Sequence, residues 1–328
     1  MKTSSGKIVR DILAALDSPK SIMEVAKECN INWESARKYM QVLAEAGVLE
    51  ERQGGKARVF VRKDFLRDPE NFFGLPLDRE MKEMIDGLYG AIERAWMKKH
   101  GSKPAKTFVY KILWELNKDR DIRIPMGWYL FGAICVRPYS PDRQYPHKVS
   151  KEDKKKIVEL VNKYSRFHST YKLMRYHYIE ERNELYKKRL ELKQLLVAGP
   201  PGEIESMVYD FVSYTPEMDS ESSKLVNEFL AMVIDAFKLV DKRELPTVQS
   251  ELLTSFESLW KLIALFNFKE DMGNFYDKEV LKKLIDPEIE IQKLETLEQF
   301  LVLSEFIPER KLSKEEEEFI QKIRAAAL

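Results

Sequence analysis

Ser21-Ile22-Met23-Glu24-Val25-Ala26-Lys27-Glu28-Cys29-Asn30-Ile31-Asn32-Trp33-Glu34-Ser35-Ala36-Arg37-Lys38-Tyr39-Met40-Gln41-Val42-Leu43 is the stretch whose reading decides the fold. Ser21 and Glu24 form a capping box: a side-chain oxygen for one orphan N–H, and a carboxylate three residues on that reaches back. They open a short helix with Ile22, Val25 and Ala26 on one face. Residues 29–32 break the pattern, and Asn32 can cap the next helix. That helix runs from Trp33 to about Ala46. Ala36, Tyr39 or Met40, and Leu43 fall on one side of it; Ser35, Arg37, Lys38 and Gln41 fall towards the other. Gly47 supplies the glycine that ends a helix. Residues 48–52 and 57–63 read as strands joined by Gln53-Gly54-Gly55-Lys56, a hairpin turn. Val59 and Val61 alternate with Arg58, Phe60 and Arg62, so the expectation is one apolar and one mainly basic face.

Working outward, residues 5–16 form an amphipathic helix with Ile8, Val9, Ile12, Leu13 and Leu16 as its buried stripe. Asp17-Ser18-Pro19 stops it. Three helices and a hairpin in this order resemble the winged helix-turn-helix family of DNA-binding domains, over roughly the first fifth of the chain. The resemblance implies that the helix 32–46 enters the major groove, leading with Asn32. Ser35, Lys38 and Gln41 would meet base edges or phosphates, and Arg37 a phosphate beside the groove. Trp33 would meet a thymine methyl or pack on the preceding helix. Arg52, Lys56 and Arg58 on the wing would touch backbone or an adjacent minor groove. Some members of this fold bind RNA or protein instead.

The chain has 328 residues, room for two or three domains. Lys+Arg 55 against Asp+Glu 54 leaves a formal charge of +1, so nucleic-acid binding must come from a local patch. Charged residues make up 33%, rich in Lys and Glu, a composition found in hyperthermophile proteins. Cys29 and Cys135 are the only cysteines, which excludes a disulfide framework and a cysteine metal site, and makes a cytoplasmic location the expectation. No signal peptide is legible, and no apolar run has the length to cross a bilayer.

Beyond a Pro- and Gly-punctuated transition ending the first domain near Asp68, the pattern is helical. Helices are expected over 78–100 and 105–117, then from Ser150. A further helix is expected over 165–196, roughly 50 Å if unbroken, with a break near residues 167–169 as the alternative. Ala198-Gly199-Pro200-Pro201-Gly202 is the clearest breaker. After it come amphipathic helices over 204–214, 220–240, 248–268, 277–284, 289–306 and 313–326, with Met218, Met232 and Met272 as core filler. The expected fold class is therefore mainly α: a winged helix-turn-helix at 1–68, a helical middle domain with a long helix at 69–198, and a helical bundle at 203–328.

Two stretches stand out. Trp128-Tyr129-Leu130-Phe131-Gly132, then Pro138-Tyr139-Ser140-Pro141-Asp142, resembles a stretch of the Panacea-type antitoxin domain, although Ala133 to Arg137 intervene where the family is tighter. The residues alone read as an aromatic hinge between two helices followed by a loop over 138–146. Residues 163–178 interleave Lys163, Arg166, Lys172 and Arg175 with Tyr164, Phe167, Tyr171, Tyr176 and Tyr178, with no carboxylate among them. Such a stretch is either a helix with rings inward and cations in water, or a phosphate-binding surface.

Catalysis finds no foothold. His100, His147, His168 and His177 lack zinc-helix spacing; His168 and His177 are nine apart, on opposite faces of one helix. Phosphate-loop, dinucleotide and nucleophile-elbow motifs are missing from the sequence. No cofactor or metal is expected. The expectation is a transcription regulator binding double-stranded DNA as a homodimer, with no membrane role. A mobile-element adaptor, such as an antitoxin, replication or partition factor holding a protein through its helical part, is the alternative. An enzyme with a winged-helix accessory domain is the third class.

Overall fold

A computed structural model describes residues 5–16, 20–45, 49–54, 57–62, 70–146, 149–198, 204–240 and 244–307. The described chain is mainly helical. It opens with helices α1 (Ser5–Ala15), α2 (Ile22–Glu28) and α3 (Trp33–Glu45), then strands β1 (Leu49–Gly54) and β2 (Ala57–Arg62). Local chemistry sets the helix starts. Glu24 N–H donates to Ser21 Oγ at 3.4 Å while Ser21 N–H donates to Glu24 Oε2 at 2.7 Å, and Ser35 N–H donates to Asn32 Oδ1 at 2.7 Å. Val9, Ile12, Leu13 and Leu16 of the first helical segment meet Val25, Tyr39, Met40, Leu43, Leu49 and Phe60 in one core. Both Tyr39 and Met40 are buried, so α3 commits about half its circumference to packing.

The hairpin differs from its sequence pattern. Its strands pair antiparallel with Glu51 opposite Phe60 and Leu49 opposite Arg62. Phe60 is 2% exposed and Leu49 1%, whereas Val59 is only half-buried. Phe60, not Val59, is therefore the strand residue that enters the core. One large ring in the core outweighs a weaker alternation of valines. Lys20 extends this small sheet, exchanging backbone hydrogen bonds with Phe60 at 3.1 and 2.8 Å.

The remainder has two cores. Helices α4 (Arg79–His100), α5 (Lys106–Arg120) and α6 (Lys151–Tyr164) enclose one. The other surrounds α11 (Leu245–Met272), which packs on α8 (Glu184–Ala198), α10 (Ser220–Leu239) and α13 (Asp286–Ser304), with α9 (Ile204–Ser213) and α12 (Lys278–Leu284) at its margins. Met232 and Met272 are buried there and Met218 packs against it.

This part is not all-helical. Strands β3 (Met126–Tyr129) and β4 (Gly132–Cys135) form an antiparallel hairpin between the cores, with Met126 and Cys135 in one and Trp128 in the other. A buried two-stranded ribbon has unpaired backbone groups on its outer edges, and each needs a partner. Side chains supply them. Trp128 N–H donates to Asp271 Oδ2 at 2.6 Å, and Trp128 O accepts from Asn267 Nδ2 at 3.1 Å. Tyr129 O accepts from the Tyr186 hydroxyl at 2.7 Å, and Leu130 O from Trp260 Nε1 at 2.9 Å.

The helix expected over 165–196 is broken twice. Residues 165–169 leave helical form, α7 (Thr170–Glu180) follows, and the chain turns again before α8, with Arg182 at φ +53°. His168 lies in the first break, so it shares no helix with His177. The expected helix over 313–326 lies outside the described residues.

Candidate nucleic-acid interface

α3 sits against α2, α1 and β1, and its opposite side faces outward. Trp33, Arg37 and Gln41, spaced four apart, form the outermost stripe, and all are exposed. The Arg37 guanidinium lies over the Trp33 ring at 5.5 Å, which holds both side chains in place along the helix. Ser35 and Lys38 sit half-buried at the edge of this stripe. The Asn32 side chain is occupied as a helix cap, leaving its amide nitrogen for other contacts. Glu34 and Val42 share the outward side, and neither was singled out from the sequence; a helical wheel drawn from the buried positions places both.

On the hairpin, Arg58 is exposed and pairs with Glu51 at 3.0 Å, diagonally across the strands. The backbone of Arg52 pairs with Val59 in the ladder; its side chain, and all of Lys56, lie outside the described residues. Residues 1–68 hold thirteen Lys and Arg against ten Asp and Glu. That excess of three, in a chain whose total is +1, leaves the remainder slightly acidic.

The first helices are fastened to the rest of the molecule through α1, which packs on α13 with Ile291 completing the amino-terminal core. The attachment uses a side of this unit other than the outward stripe of α3.

In the aromatic stretch over 128–145, Trp128, Tyr139 and Tyr145 are buried, whereas Phe131 is exposed. The Tyr89 hydroxyl donates to Arg137 O at 2.6 Å, Tyr139 N–H donates to the Tyr110 hydroxyl at 3.1 Å, and Ser140 N–H to the Tyr145 hydroxyl at 2.7 Å. Arg137 grips Asp86 with two hydrogen bonds of 2.6 and 2.7 Å and reaches Glu70 at 3.2 Å. Paired carboxylates raise the Arg137 pKa, chiefly through the Asp86 bonds.

Beside this hairpin lies a cluster of buried polar atoms without partners. Among the described residues, Lys111 Nζ, Trp114 Nε1 and both ring nitrogens of His177 make no hydrogen bond. Lys111 is 1% exposed, its Nζ 5.2 Å from the centre of the Trp128 ring, and the His177 ring stacks on Trp128 at 4.9 Å. Gly132, at φ +108°, lets the lysine in: a Cβ there would stand 2.2 Å from Nζ. Burial holds the Lys111 and His177 pKa values well below their usual ranges and pushes Tyr178 up to about 12. Desolvation likewise raises Asp271 to about 6.

Among the described residues no group of His, Cys, Asp and Glu is placed to hold a metal ion, and no helix is long and apolar enough to cross a membrane. No family model matches the chain, and neither a curated protein nor a solved structure matches it.

Proposed function

We propose that the chain is a sequence-specific DNA-binding regulator whose amino-terminal unit works as a winged helix-turn-helix. The observation that carries this reading is the position of α3. Its outward stripe of Trp33, Arg37 and Gln41 stands clear of the contact between α1 and α13, with Lys38 at its edge, and Arg58 is exposed on the hairpin whose first strand packs against α3. A helix so exposed fits the major groove, with Gln41 and Lys38 suited to base edges and Arg37 to a base or a phosphate. The hairpin would lie along the backbone beside it. Attachment through α13 makes the helical remainder the part that dimerises or responds to a signal, and a dimer would read an inverted repeat with half-sites about 34–36 Å apart.

Selection from random-sequence duplexes tests this. The full chain should enrich one motif, arranged as an inverted repeat, and Arg37→Ala combined with Gln41→Ala should lose the enrichment. Equal recovery of every sequence by the unaltered chain would overturn the proposal.

A further inference from the structure

The outward side of α7 carries the cations Lys172 and Arg175. Lys163, at the end of α6, is neutralised by Glu115 at 2.8 Å and Glu180 at 3.1 Å, and Lys118 takes Glu181 at 2.8 Å. Glu180 also accepts from the Tyr176 hydroxyl. The carboxylates nearest α7 are thus already engaged. Arg166, Lys172, Arg175 and Arg182 are exposed and form no ion pair among the described residues, although the Arg166 charge helps hold the Glu180 carboxyl below its usual range.

Leu173, His177 and Tyr178 turn inward, which leaves Lys172 and Arg175 on the solvent side. Arg166, in the break before α7, lies over the Tyr176 ring at 4.8 Å and the Phe167 ring at 5.1 Å. Lys172 and Arg175 stand about one turn apart on α7, about 4.5 Å along its axis, comparable with neighbouring phosphates at about 3.4 Å of axis per strand. Tyr171, 45% exposed, presents its ring beside them, its hydroxyl accepting from Gln194 Nε2 at 3.3 Å.

We propose that this face binds single-stranded nucleic acid without regard to sequence, Lys172 and Arg175 meeting phosphates and Tyr171 stacking on a base. Two exposed cations one turn apart on a helix, with an exposed ring on the same helix, match what such strands require. The surface is separate from α3 and does not depend on the reading given for it.

Binding of the full chain to a labelled thymidine oligonucleotide of about 20 residues, followed across salt concentrations, tests the proposal. The unaltered chain should bind. Lys172→Gln with Arg175→Gln should weaken binding and reduce the salt slope by about 1.4, roughly 0.7 for each lost phosphate contact. Tyr171→Ala should cost about fivefold or more, and all variants should melt as the parent does. Arg37→Gln with Lys38→Gln should leave this binding intact. An unchanged slope in the Lys172/Arg175 variant overturns the proposal, as does loss of binding in the Arg37/Lys38 variant alone, which would assign the strand to α3. Binding to phosphatidylserine-rich vesicles through Lys172 and Arg175, without binding to the oligonucleotide, also overturns it in favour of a membrane surface.

Discussion

Arg58 separates what a surface charge does for stability from what it does for binding. Its bridge to Glu51 joins two exposed side chains, and such pairs contribute about 0–1 kcal/mol. Arg58→Ala should therefore leave the denaturation midpoint almost unmoved. If the hairpin lies on DNA, the same change should reduce the salt slope of duplex binding by about one charge. Lys111 is the opposite case. A buried amine without a partner carries its desolvation cost uncompensated, so Lys111→Met should raise stability by about 1–3 kcal/mol in denaturant melts. Its folded pKa lies below its unfolded value of 10.5. The unfolded chain then binds the extra proton, and stability should climb as pH rises towards that value. Lys111→Met should lose this climb.

His177 and Asp271 act in opposite directions in mild acid. Burial keeps His177 neutral when folded, while the unfolded ring takes a proton near 6.5, so its contribution is lost as pH falls below 6.5. Asp271 holds its proton up to about 6 when folded and only to 3.8 when unfolded, so its contribution grows as pH falls through that interval. Urea midpoints between pH 7 and pH 4 should fall less for His177→Gln than for the parent, and more for Asp271→Asn.

At the scale of elements, legibility followed how local the cause is. The starts of α2 and α3 could be read because Ser21, Glu24 and Asn32 act within three residues of themselves. The β3–β4 hairpin could not. Met126-Gly127-Trp128-Tyr129 and Gly132-Ala133-Ile134-Cys135 are largely buried on both faces, so no alternation marks them, and their edge partners Asp271 and Asn267 lie over a hundred residues away. The break before α8 falls on Arg182, with neither glycine nor proline to announce it. In the amino-terminal hairpin the alternation sets Val59 and Val61 apart from Arg58, Phe60 and Arg62, yet Phe60 is the ring in the core while Val59 is half-buried, because burying one large ring outweighs burying a valine. Phe60→Ala should destabilise the protein by about 3–5 kcal/mol, whereas Val59→Ala should cost about 1 kcal/mol or less. Equal losses in thermal melts would contradict the register described here.

For the whole molecule, the outward residues of α3 were legible as a helical face, with Ser35 and Lys38 read as more central than they are. What the sequence withheld was the attachment: nothing in residues 1–68 announces that α1 rests on α13 and meets Ile291. That contact leaves α3 open and ties its orientation to a helix that packs along α11, so motion in the helical remainder has a direct route to the proposed reading unit. Hydrogen exchange of the full chain with and without a duplex selected for binding is the most direct test. The account predicts new protection in residues 33–45 and in the 49–62 hairpin, with α1 and α13 unchanged. Protection confined to α1 and α13, or none in residues 33–45, would contradict it.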